Sequence, residues 1–70
     1  MSDAKDLDRR FTYHAPKDDQ PQRYELIRNK GRSFAKLILD SCPDSQERSK
    51  AVTYIESAVM WANAAIARNE

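Results

Sequence analysis

At 70 residues, with 40% hydrophobic and 33% charged side chains, the chain holds one small domain (1–70) whose core must be thin. Twelve Lys+Arg against eleven Asp+Glu leave a formal net charge of +1, which argues against a protein built to coat long nucleic acid or an anionic membrane. One glycine, one cysteine and one histidine exclude a glycine-rich phosphate loop, a disulfide framework and a Cys/His zinc site within the chain.

Residues 1–21 are mostly polar, contain Pro16 and Pro21, and show neither helical nor strand periodicity. They read as an arm with at most a short helical turn before Arg10. The start MSDAKDLDRR has no signal-peptide core, and no apolar run approaches the roughly 18 residues of a membrane helix. The expected compartment is the cytoplasm, with Cys42 a reduced thiol. Within the arm lies one dense patch, Arg10-Phe11-Thr12-Tyr13-His14-Ala15-Pro16-Lys17, which sets two aromatics and an imidazole among cations.

Over 22–40 the apolar residues Tyr24, Ile27, Phe34 and Ile38 recur at steps of three, seven and four, which predicts an amphipathic helix. Gly31 falls on that stripe. It costs the helix about 1 kcal/mol relative to Ala, so its place there suggests either a tolerated glycine or a second backbone passing close by. Pro43 disfavours helix at Cys42, and Asp44 stands three residues before Glu47 in capping-box spacing, with Ser41 or Ser45 as alternative caps. The chain should therefore turn back on itself between 40 and 45.

The second long helix, 45–68, is the clearest periodic element: Val52, Ile55, Val59, Ala62 and Ile66 follow steps of three and four. A second stripe of Tyr54, Ala58, Trp61 and Ala65 lies beside the first. The fold class is all-α, a two-helix antiparallel hairpin with an N-terminal arm. Such a hairpin buries only the faces that meet, so Tyr54 and Trp61 need another cover. Either the arm folds back over them or the chain assembles into a closed homo-oligomer, and the second is the expectation for a chain this small without disulfide or metal.

Catalytic residues are scarce. His14 and Cys42 form the only nucleophile and base pair available, one in the arm and the other in a turn, and Glu47 and Glu56 lie nine residues apart on different helical turns. No enzyme, metal or cofactor is expected. Anion binding is better supported. Arg28, Lys30, Arg32 and Lys36 place four cations within nine residues, and Phe11, Tyr13 and His14 offer flat surfaces nearby in sequence. Arg68 closes the second helix, where a cation suits the helix dipole or a ligand.

The patch from Arg10 to Lys17 with Asp19-Gln20-Pro21, the Cys42-Pro43 and Glu47-Arg48-Ser49 segments, and the string from Glu56 to Asn69 together resemble a known family. These are the small phage hairpin-domain proteins that act as anti-CBASS sponges, whose hairpin also occurs in an anti-Thoeris sponge family. The resemblance implies a compact homohexamer that sequesters cyclic oligonucleotide immune signals without cleaving them, in the bacterial host cytoplasm. It implies pockets between protomers for cyclic dinucleotides such as cyclic GMP-AMP. There an N-terminal tyrosine, best matched by Tyr13, stacks on a base, and a basic residue of the first helix, Arg28 or Lys30, meets phosphate. A separate pocket for cyclic trinucleotides would use a C-terminal arginine, here Arg68, although the first helix lacks the threonine that some such pockets use. The alternative function is a small protein-interaction module that engages a different protein through Tyr54 and Trp61.

Overall fold

The computed structural model describes residues 3–70, which form three helices in chain order: α1 (Asp3–Phe11), α2 (Gln20–Ser41) and α3 (Gln46–Asn69). The two long helices run within two residues of the limits expected from periodicity. α1 is a correction: a nine-residue helix that runs through Arg10 to Phe11 stands where at most a short turn before Arg10 was expected. It lacks an extended apolar stripe and is held locally. Asp6 pairs with Arg9 at 3.3 Å and with Arg10 at 3.1 Å, and both arginines lie in the last turn, where the helix dipole favours positive charge. Ala4, Leu7 and Phe11 recur at steps of three and four, an apolar stripe too short to stand out in so polar a segment.

α2 starts at Gln20 with Pro21 in its first turn, a position where the missing N–H costs nothing. It ends where Cys42 N–H donates to the Ile38 carbonyl at 3.0 Å and Pro43 forbids continuation. Ser45 caps α3: its hydroxyl accepts from the Arg48 amide at 3.1 Å and donates to the Pro43 carbonyl at 3.0 Å. Asp44, first in line as a cap on sequence spacing, binds the Arg48 guanidinium at 3.0 Å instead. That guanidinium also donates to the Leu39 carbonyl at 3.2 Å and the Cys42 carbonyl at 3.4 Å, so one side chain covers the open end of α2 while its own backbone starts α3.

Three points fix the antiparallel pairing. Arg48 meets Leu39 at the turn, Val59 meets Gly31 midway, and Glu70 meets Gln20 and Arg23 at the open end. A Cβ built on Gly31 would collide with Val59 Cγ2 and lie 3.8 Å from Ile55 Cγ2. The close approach expected at this glycine is real, but a valine side chain makes it rather than a backbone. Val52, Ile55, Val59, Ala62 and Ile66 form the α3 side of the seam and are all half-buried. On α2 the seam runs through Tyr24, Ile27, Gly31, Ala35 and Ile38. Phe34, expected on that stripe, sits at its edge and is 52% exposed, because small Gly31 and Ala35 let the helices approach along the neighbouring line.

No hydrophobic residue is buried among the described residues. The Cα radius of gyration is 15.4 Å, against about 11 Å for a compact chain of this length. α1 makes almost no contact with the hairpin, so the arm leaves Tyr54 and Trp61 uncovered, at 69% and 68% exposure.

Candidate functional site

The hairpin has two chemically different faces. One carries a groove of about 790 Å³ between α2 and α3, walled by Leu26, Phe34, Tyr54 and Ala58, with Lys30 as the cation among them. Leu26, Phe34 and Tyr54 are each more than half exposed there, so the groove is an open apolar surface. The opposite face carries a smaller groove of about 290 Å³ lined by Arg28, Arg32, Ala35, Glu56 and Met60. Helix geometry accounts for the split: Lys30 and Phe34 lie one turn apart on one side of the seam, and Arg28 and Arg32 one turn apart on the other. The two candidate phosphate ligands, Arg28 and Lys30, therefore point to different sides of the molecule.

Pairing divides the cations further. Lys36, one of the four basic residues counted on α2, is held by Asp40 at 2.7 Å. Arg9, Arg10, Arg23 and Arg48 also have carboxylate partners. Among the described residues no carboxylate pairs with Arg28, Lys30, Arg32 or Arg68. These cations are available to an external anion at no cost in broken ion pairs. Arg68 is half-buried in the last turn of α3, where its charge suits the carbonyl end of the helix.

The arm aromatics are presented to solvent. Phe11 ends α1 and Tyr13 begins the irregular stretch 13–17, and both are 82% exposed. His14 is half-buried, with Nε2 3.4 Å from the Arg9 carbonyl, a contact that ties the ring to the end of α1. None of Phe11, Tyr13 and His14 lines either groove. Within one chain the arm aromatics thus add no wall to either groove.

A polar cluster at the open end of the hairpin escaped sequence reasoning. Gln20 is 4% exposed, the one buried residue among those described. Its amide oxygen accepts from Lys17 N–H at 3.2 Å, and its amide nitrogen donates to Glu70 Oε1 at 3.1 Å. Both terminal nitrogens of Arg23 also bind the Glu70 carboxylate, one of them at 2.8 Å, while Arg23 Nε lies 3.2 Å from Asp19 Oδ1. Hydrogen bonds from Arg23 and then Gln20 hold the Glu70 carboxyl down at about 2, and the same carboxylate raises the Arg23 guanidinium. Only the i,i+4 pair of Asp19 and Arg23 leaves a trace in sequence; the contacts to Glu70 span most of the chain.

The family model described as Acb2/Tad1, hairpin domain, matches residues 3–67. The chain belongs to the Acb2/Tad1 hairpin family. No curated protein and no solved structure matches it. Acb2/Tad1 sponges bind cyclic-nucleotide signals of bacterial immunity and are not enzymes, so the chemistry required of this hairpin is tight binding without turnover. No helix among the described residues is long and apolar enough to cross a membrane.

Proposed function

We propose that this Acb2/Tad1 hairpin sequesters cyclic dinucleotides such as cyclic GMP-AMP in pockets formed between its own copies, within a homo-oligomer of hexameric size. The observation that supports this reading is the division of the hairpin into two faces, one apolar and open, the other bearing cations without carboxylate partners among the described residues. A chain with no buried hydrophobic residue among those described gains its core by association, and the Leu26, Phe34 and Tyr54 face is the surface that association would cover. Arg28 and Arg32 remain outside that cover and meet phosphate. Lys30 rims the covered groove and is the second choice.

The arm aromatics lie outside both grooves of their own chain, so they serve a pocket to which more than one copy contributes. Tyr13 stacks on a base, and Phe11 and His14 flank it. Base–aromatic stacking is worth about 1–3 kcal/mol per base and tolerates any base. Arg68 is the candidate for a separate cyclic trinucleotide pocket. The site of action is the cytoplasm of the bacterial host, where the signals arise.

Thermal unfolding against a panel of cyclic oligonucleotides tests the reading. A ligand that binds only the folded state at about 100 times its Kd adds about 2.7 kcal/mol of stability. A rise in Tm with a cyclic dinucleotide, followed by recovery of the intact ligand after denaturation, is the expected result. A linear product, or no shift with any member of the panel, overturns it. A second reading, a protein-binding adaptor, draws on the same exposed Tyr54 and Trp61 and requires an 8.1 kDa monomer that leaves this face open.

A further inference from the structure

α1 makes almost no contact with the hairpin, and the arm joins α2 through a well-built root. Gln20 N–H donates to the Lys17 carbonyl at 2.9 Å, closing a turn in which Asp18 adopts φ 53°, a left-handed conformation that Asp tolerates better than most residues. The Gln20 side chain then joins the Lys17 amide to Glu70 at the end of α3, and Arg23 holds that carboxylate with two nitrogens. One buried amide and one ion pair thus fix the last arm residue against the ends of both long helices. Tyr13 is four residues before Lys17, a reach of at most about 14 Å when fully extended.

We infer that Gln20, Arg23 and Glu70 are positioning residues for the ligand: they form a clamp that sets the direction in which the arm carries Tyr13. The inference rests on the proposed role of Tyr13. Without the clamp, residues 12–19 sample more directions in the free protein, and binding must then order them. Ordering of this kind typically costs binding about 0.5–1.5 kcal/mol per side chain, equivalent to a loss of about 2- to 10-fold in affinity.

The test compares Glu70→Ala, Tyr13→Ala and the double variant, with Kd for cyclic GMP-AMP by calorimetry, oligomer size by sedimentation, and amide exchange of the free protein. Glu70 is exposed enough for its truncation to leave the helices intact, and Arg23→Lys, which keeps the charge but loses the two-pronged grip, supplies a milder second variant. Expected are faster exchange at the Lys17 and Gln20 amides, an unchanged oligomer, and a 2- to 10-fold weaker Kd in Glu70→Ala. The decisive expectation is that Glu70→Ala has no further effect on Kd once Tyr13 is alanine, because the clamp acts through that ring. Equal losses in both backgrounds overturn the inference. So does an unchanged Kd in Glu70→Ala when Tyr13→Ala alone weakens binding. If Tyr13→Ala itself leaves Kd unchanged, the role of the arm in the proposed function fails and takes the clamp's purpose with it.

Discussion

Gly31 faces the Val59 side chain so closely that any β-carbon at position 31 would overlap Val59 Cγ2. Val59 is a stiff, β-branched neighbour on a helix and cannot rotate away cheaply. Gly31→Ala gains about 1 kcal/mol of helix propensity but incurs an overpacking cost of about 1–3 kcal/mol. The expected net effect is a loss of stability, larger for Gly31→Leu. Val59→Ala removes the offending methyl, so Gly31→Ala should be less harmful in that background, as read by thermal unfolding of the four proteins.

The turn between the long helices offers a contrast of caps. Ser45 supplies both a hydroxyl acceptor and a donor, and Ser45→Ala should cost about 1 kcal/mol in a denaturant titration. The Asp44 side chain is 92% exposed and contributes one surface ion pair, so Asp44→Ala should cost less than about 0.5 kcal/mol. The reverse order would restore Asp44 as the cap.

Periodicity made the hairpin legible because α2 and α3 are amphipathic and their seam residues repeat every three or four positions. Gly31 was legible for the same reason, as a small residue on a buried line. α1 was not, since its apolar stripe is only Ala4, Leu7 and Phe11 in a segment of charged residues, and the pairs of Asp6 with Arg9 and Arg10 that stabilise it leave no hydrophobic pattern. Phe34 was misplaced because its angular position lies near the edge of the stripe, where the size of Gly31 and Ala35 decides which line packs. The clamp of Gln20, Arg23 and Glu70 depends on contacts between residues 47 and 50 apart in sequence, which appear only once the hairpin closes.

The clamp also predicts an acid response. Glu70 titrates at about 2 in the folded chain against an ordinary 4.5, so the unfolded chain takes up its proton first as pH falls. The stabilisation from this carboxylate is fully present above pH 4.5 and disappears as pH falls through about 2. Arg23 stays charged throughout, with Lys17 adding to the positive field and Asp19 opposing it. The difference in Tm between the parent and Glu70→Gln should therefore be constant near neutral pH and shrink between pH 4.5 and 2. A difference that grows on acidification contradicts the assignment.

Association is the next expectation. Trp61 is 68% exposed and lies by helical spacing on the same side of α3 as Tyr54, beside the apolar groove. A charge placed there is harmless in a monomer and strongly unfavourable in a desolvated interface. Trp61→Asp should dissociate or unfold the protein, whereas sedimentation of the parent should give a multiple of 8.1 kDa. A parent that sediments as a monomer at micromolar concentration removes the basis for pockets between copies.

The pocket itself is tested by separating stacking from charge. Tyr13→Ala removes a π-face worth about 1–3 kcal/mol, so cyclic dinucleotide binding should weaken about 5- to 150-fold with little change in its salt dependence. Arg28→Ala removes a cation with no carboxylate partner among the described residues, so binding should weaken and also become less sensitive to salt, since one fewer charge pair is screened. Lys30→Ala should produce a smaller change in both, because Lys30 sits on the apolar face that association covers. Tyr13 lies in the arm and Arg28 across the seam from that face, so both variants should keep the parent's oligomer. That requirement gives the comparison its force: binding lost from an intact oligomer locates a site, while binding lost from a dissociated one reports only on assembly. If Lys30→Ala flattens the salt dependence and Arg28→Ala does not, the phosphate lies on the apolar face, and the division of the hairpin into an associating side and a binding side is wrong.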